Sequence, residues 1–241
     1  MYEKLKEIIE KSDNIVFFGG AGVSTESNIP DFRSETGLYN AIKQYKYPPE
    51  QMLSRSFFNK HTETFYDYYK NNLIYKDAKP NKAHMALAKL EEMGKLKAVI
   101  TQNVDGLHQM AGSKTVYELH GSAHRNICMK CRATYDLDII IESEGVPKCK
   151  ECKDGIIKPD VVLYEEPLND GIMTKAIEAI GKADTLIIGG TSLAVYPAAG
   201  LVHYFTGEHL VLINKDKTPY DKKADLVIND AIGEVLGSII L

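Results

Sequence analysis

Five short apolar runs constrain this chain most. They are Ile15-Val16-Phe17-Phe18, the stretch Lys97–Thr101 around Ala98-Val99-Ile100, Thr185–Gly189, Leu210–Asn214 and Asp225–Ile228. Their apolar cores show no polar alternation, so each reads as a strand buried on both faces, the signature of a parallel sheet covered by helices. The first strand is expected over 14–19. Between the runs the pattern changes to helical spacing. Residues 2–12 place Leu5, Ile8 and Ile9 on one face, Asn81 can cap a helix through about Met93, and 170–182 and 231–240 complete the set. Shorter strands are expected at Val116–Leu119 and Asp160–Tyr164, and a short helix from Pro197 to about Thr206. Strands alternating with helices predict an α/β fold built on a doubly wound parallel sheet.

Two segments break that alternation. Residues 36–79 are rich in Tyr, Phe and Lys and contain Pro48-Pro49; they predict short helices, such as 62–73, covering a site. Residues 122–156 are polar and turn-rich. The expected organisation is therefore a nucleotide-binding domain made of 1–35, 80–121 and 157–241, with a helical insertion at 36–79 and a small module at 122–156.

A formal net charge of −4 argues against tight, nonspecific nucleic-acid binding, which needs a basic surface. Lys, Glu or Asp interrupts every candidate membrane span, and Met1–Glu7 lacks the apolar core of a secretory signal. The expected setting is cytoplasmic, with no membrane and no direct nucleic-acid partner.

Gly20-Ala21-Gly22-Val23-Ser24 follows the first strand. A strand ending in small residues offers backbone N–H groups where a helix begins, which suits a pyrophosphate. The usual third glycine is missing, with Thr25 in its place, so a plain tight turn is the competing reading. Phe32 and Arg33 follow in Ile29-Pro30-Asp31-Phe32-Arg33-Ser34. A guanidinium there can clamp phosphates, or else pair with Glu35 or Asp31 at the surface.

Gln102-Asn103-Val104-Asp105 sits at the carboxyl end of its strand, the ligand-binding edge of open α/β sheets. Three polar side chains there can recognise ribose hydroxyls and a carboxamide; helix capping by Asn103 or Asp105 is the alternative. His120, at a strand end beside Gly121, is placed as a general base with room for substrate. His108 is expected to pack or cap, and His61, His84, His124, His203 and His209 to be surface or packing residues. Gly189-Gly190-Thr191-Ser192 forms a second small-residue turn, and Asn214 could meet an adenosine ribose.

The cysteines are Cys128, Cys131, Cys149 and Cys152, spaced C-x2-C, seventeen residues, C-x2-C. That is zinc-ribbon spacing: two knuckles close a tetrahedral site with no open position, so the metal is structural. Free or redox-active cysteines are the lesser alternative.

Taken together, GAGVS…IPDFRS, TQNVDGLH, Leu119-His120-Gly121, the cysteine quartet, KPDVVLYEE, GTSLAVYP and the Asn214 strand occur in an order that resembles the sirtuin family, NAD-dependent protein lysine deacylases, in their short bacterial and archaeal form. The resemblance spans nearly the whole chain. It implies a Rossmann-like domain and a small zinc-bearing, partly helical module, with NAD and acyl-lysine meeting between them. It assigns NAD contacts to Gly20, Ala21, Gly22, Thr25, Phe32, Arg33, Gln102, Asn103, Val104, Asp105, His120, Gly190, Thr191, Ser192, Asn214 and Ile232. Within that set Asn103, Val104 and Asp105 take the nicotinamide, and His120, with Asn103 and Asp105, forms the catalytic group. Cys128, Cys131, Cys149 and Cys152 hold one structural zinc. Val162, Leu163 and Tyr164 on one side and Leu193 and Val195 on the other flank a substrate peptide lying as an added strand.

The implied reaction is deacetylation of a lysine in a protein or peptide. The acetyl oxygen attacks the ribose as nicotinamide leaves, His120 deprotonates a ribose hydroxyl, and O-acetyl-ADP-ribose forms. Mono-ADP-ribosyltransfer and a preference for a longer neutral acyl group are the alternatives; a non-catalytic NAD sensor and a dehydrogenase fit less well. Three positions depart from the family pattern. Asn28 replaces a glycine but tolerates positive φ. Glu165 replaces a glycine and could favour basic flanking residues. Tyr69 stands where succinyl-removing members carry Arg, so acetyl or other neutral groups are expected.

Overall fold

The structure is a computed structural model that describes residues 1–31 and 42–241. Its strands are β1 (Ile15–Gly19), β2 (Leu96–Thr101), β3 (Val116–Glu118), β4 (Gly121–Cys128), β5 (Thr134–Tyr135), β6 (Ile157–Val161), β7 (Thr185–Gly189), β8 (His209–Ile213) and β9 (Leu226–Ile228). One sheet has the order β3-β2-β1-β7-β8-β9, with every neighbouring pair parallel. The chain steps outward from β1 to β3, then returns to lay β7 on the other side of β1. The connections leaving β1 and β7 therefore part at their carboxyl ends, and a crevice opens there.

The apolar runs are uninterrupted because both faces are covered. Phe17, Ile187 and Val211 point to one face, where they meet Leu5, Leu87, Leu90, Val235 and Leu236 from the helices Tyr2–Lys11, Lys82–Glu92 and Ile232–Ile240. Val16, Phe18, Leu186, Ile188 and Leu212 point to the other, against Ile180 of the helix Asp170–Lys182 and Leu201 of the 3-10 turn Ala198–Tyr204. This is the period of two that a strand imposes. Asn81 caps its helix as expected: its side chain accepts from the Ala83 amide at 2.9 Å, and His84 Nδ1 accepts from the Asn81 amide at 3.2 Å.

Three local expectations change. Residues Ala21–Val23 and Thr25–Ser27 form two 3-10 turns, not the start of a helix, and Asn28 ends them at a φ of 62°. The run near 160–164 does not join the large sheet. Its strand is Ile157–Val161, and it pairs antiparallel with β4 in a second sheet of order β5-β4-β6. The segment 122–156 is thus built around a sheet.

The described part of 36–79 forms the helices Pro49–Met52, Arg55–Lys60 and Thr62–Asn72. It shares one core with the small sheet: Met52, Phe57, Phe58, Phe65, Tyr66 and Tyr69 pack with Cys128, Ile140, Cys149 and Ile157. The Tyr66 hydroxyl donates to the Ile157 carbonyl. Lys70 Nζ donates to the Ser143 carbonyl at 2.6 Å and the Gly145 carbonyl at 3.1 Å. Two insertions far apart in sequence make one body. Among the described residues no helix is long and apolar enough to cross a membrane.

Candidate active site

A cleft of about 760 Å³ opens at the carboxyl ends of β1, β2 and β7. Gly20, Ala21, Gly22 and Thr25 line it after β1, and Gln102, Asn103, Val104 and Asp105 after β2. Gly190, Thr191, Ser192 and Val195 follow β7, with Asn214 after β8 and Ile232 at the start of the last helix. His120, Val162, Leu163 and Tyr164 close the side nearest the small sheet. Phe32 and Arg33 lie outside the described residues. Leu193 does not line the cleft; it is buried in the core beneath it.

The glycine turn is built differently from a simple phosphate cradle. The Gly22 amide donates to the Gly190 carbonyl at 2.8 Å, the Val23 amide to Gly20 and the Ser24 amide to Ala21. A Cβ at Gly22 would lie 2.7 Å from Gly190 Cα, and one at Gly190, whose φ is +59°, would lie 2.4 Å from the Val23 nitrogen. The small residues let the two turns pack directly on one another at the switch point. Gln102 reinforces the junction, donating through Nε2 to Thr191 Oγ1 at 3.1 Å.

On the large-sheet side, one hydroxyl ties together two side chains of the loop after β2. Ser24 donates to Asp105 Oδ2 at 2.6 Å and accepts from Asn103 Nδ2 at 3.0 Å. The other Asp105 oxygen accepts from the Leu107 amide at 3.0 Å, so both oxygens are engaged in holding the loop. Ser24 belongs to the glycine motif, which by itself does not single it out. Its signal, a small hydroxyl directly after a turn, gains meaning only once β1 and β2 are known to be adjacent.

His120 Nδ1 lies 3.0 Å from the Gln102 carbonyl. A carbonyl can only accept, so Nδ1 carries a proton, and in the neutral form of the ring the lone pair is on Nε2. Gly121 is needed for another reason than space for substrate: at φ +76°, a Cβ there would fall 1.9 Å from the Asp160 carbonyl oxygen of the paired strand. Asn214 Nδ2 donates to the Asp216 carbonyl at 2.8 Å, shaping the turn that borders the far end of the cleft.

Along the edge Val162–Tyr164 the backbone amides are engaged within the chain. The Val162 amide donates to His120, Leu163 to Glu166 Oε2 at 2.9 Å, and Tyr164 to Leu53. Glu166 is held in turn by Arg55 at 2.9 Å and Lys158 at 3.2 Å. Glu165 sits at a φ of 74°, and its carboxylate accepts from the Ser56 amide at 2.8 Å. Hydrogen bonding from the Ser56 hydroxyl, and then from this amide, holds its pKa below the usual carboxylate value. Tyr69 is fully buried and stacks on Phe65, so it forms no part of the described cleft wall. Instead Asn72, Leu73 and Tyr75 of the same insertion reach the cleft.

The four cysteine sulfurs lie within 4.8 Å of one another, with Cys128–Cys152 at 3.7 Å and Cys131–Cys149 at 3.5 Å. Tetrahedral zinc with bonds of about 2.3 Å spaces its sulfurs roughly 3.8 Å apart, so the set fits that ion. The Lys130 and Cys131 amides donate to Cys128 at 3.4 Å each, and the Cys152 amide to Cys149 at 3.5 Å. Burial opposes ionisation of Cys149, but hydrogen bonds from the Tyr135 hydroxyl and the Cys152 amide outweigh it and bring its pKa down to about 6. None of the four lines the cleft, so a metal there supports structure.

The Sir2 family model matches residues 20–197. An NAD-dependent protein deacetylase of Clostridium perfringens (strain 13 / Type A) is 66% identical over 238 residues, covering 98% of this chain and 97% of that protein. The crystal structure of a Sir2 homolog–NAD complex superposes with a TM-score of 0.88 at 37% identity, over 99% of this chain and 92% of that one. A Sir2 structure with a deacetylated p53 peptide and 3′-O-acetyl ADP ribose gives 0.88 at 39% identity, over 97% and 95%.

Proposed function

The chain belongs to the Sir2 family, and from that premise we propose that its cleft accepts NAD together with an acetylated lysine of a protein or peptide. The protein is an NAD-dependent protein deacetylase, as its relatives are named. NAD supplies a glycosidic bond whose cleavage releases nicotinamide and lets the acetyl group pass to ADP-ribose.

The chain's own residues do the rest. Gly20 and Ala21, with Thr191 and Ser192, receive the phosphates at the switch point between β1 and β7. The border formed by Asn214 and Ile232 takes the adenosine end. Asn103, Val104 and Asp105, locked through Ser24, form the wall against which the nicotinamide is held. Asp105 orients that wall, each of its oxygens accepting one hydrogen bond that fixes the loop. His120 holds the one proton of its neutral ring on Nδ1 and takes a ribose hydroxyl proton at Nε2. One structural zinc on Cys128, Cys131, Cys149 and Cys152 keeps the small sheet ordered. A cysteine cluster of this kind suits a reducing compartment, which supports a cytoplasmic location.

The orientation of His120 carries this reading. His120→Ala should keep NAD affinity by calorimetry yet lower deacetylation by about 10²- to 10⁴-fold, the range of a general base. Turnover within a few-fold of wild type would remove the assignment.

A further inference from the structure

One contact to the nicotinamide loop comes from outside the residues assigned above. β4 pairs with β6 through a register irregularity between Ser122 and Asn126. Such bulges re-aim side chains beside active sites. Here the bulge leaves both His124 and Arg125 exposed, while Ala123 and Asn126 on either side stay buried. Arg125 is tied to Glu118 at 2.6 Å and Asp160 at 2.9 Å. His124 turns to the loop after β2: its Nε2 lies 2.9 Å from the Asp105 carbonyl.

Two further contacts tighten the same junction. The Ala123 amide donates to the Val104 carbonyl at 2.9 Å. The imidazole also packs on the turn itself: a Cβ at Gly106, whose φ is +71°, would come 2.9 Å from His124 Cδ2. A carbonyl accepts only, so Nε2 must be the donor, whether the ring is neutral or charged. The loop is thus gripped on two sides. Ser24 holds the Asp105 carboxylate from the large sheet, and His124 holds its carbonyl from the small one.

We propose that His124 is a positioning residue for the reaction: it braces the Asp105–Gly106 turn from the small sheet and so sets the geometry of the nicotinamide wall. This rests on the reading that residues 103–105 take the nicotinamide. His124 touches no reacting atom, and its exposure means that its removal opens no core cavity. Its effect should therefore appear in nicotinamide handling and leave stability and peptide binding alone.

The test compares wild type, His124→Ala and His124→Gln, whose amide can still donate. Each is given NAD, an acetyl-lysine peptide and isotopically labelled nicotinamide. His124→Ala should raise the nicotinamide inhibition constant and the NAD KM together by about two- to tenfold, the worth of one hydrogen bond. Peptide KM, zinc content and urea midpoint should match wild type, and His124→Gln should recover most of the loss. Wild-type behaviour of His124→Ala would overturn the proposal. So would a loss that His124→Gln fails to restore, or one matched by a fall in the urea midpoint. If wild type itself neither releases nor exchanges nicotinamide, the underlying reading fails and the proposal with it; if wild type exchanges normally and only the variant comparison fails, the fault lies with His124 alone.

Discussion

His84 and His108 lie buried behind the loop after β2, their rings 4.7 Å apart and edge to face. Among the described residues neither nitrogen of His108 has a hydrogen-bond partner. Burial pushes the pKa of His84 down to about 4, against a smaller opposing pull from Asp105; burial and then the neighbouring His84 take His108 down to about 3. Both folded values lie below the ordinary value of 6.5, so the unfolded chain binds these protons first as pH falls. Stability is full above about pH 6.5 and is lost progressively towards pH 4, by on the order of 3 kcal/mol for His84. His108→Leu exchanges two unpartnered buried nitrogens for an apolar side chain. Its urea midpoint at pH 7 should equal or exceed wild type, and its decline between pH 6.5 and 4.5 should be shallower. Parallel declines would assign the acid sensitivity to other groups.

At the scale of elements, the small sheet carries the cluster of four sulfurs, and its core is shared with the helices of the first insertion. Purified protein should carry one zinc per chain. Stripping it with a strong chelator should abolish amide-exchange protection in β4, β5 and β6 and weaken it in the Thr62–Asn72 helix, while β1, β7 and β8 stay protected. Uniform loss across both sheets, or none, would contradict a role confined to this body. The same division explains what the sequence could tell. β1, β7 and β8 were legible because burial on both faces leaves an uninterrupted apolar run. The strand Ile157–Val161 was misplaced because the run Val161–Tyr164 looks the same whichever sheet receives it, and its partner β4 lies about thirty residues away. The first 3-10 turn after β1 is tied to Gly190 through the Gly22 amide, a contact with no local signature. Tyr69 stood at a motif position, but its burial follows from Phe65 and the small sheet, which the motif does not encode.

On the scale of the whole molecule, the cleft is walled by both bodies. The large sheet supplies its floor through Gly20, Gln102 and Thr191, and the insertions supply Leu53, Leu73 and Tyr75. The small-sheet side supplies His120 and the edge at Leu163. The ordered motifs were enough to name the family, and those after β1, β2 and β7 fall at strand ends facing this crevice. The hydrogen bonds that tie the floor together and join it to the small-sheet side, Gln102 to Thr191 and His124 to Asp105, needed the assembled fold. The central claim is that one crevice breaks NAD and moves an acetyl group from lysine onto the remaining ADP-ribose. Mass analysis after incubation with NAD and an acetyl-lysine peptide tests it most directly. The account predicts nicotinamide, free lysine peptide and O-acetyl-ADP-ribose in equal amounts; ADP-ribose attached to protein, or deacetylated peptide without nicotinamide, would contradict it.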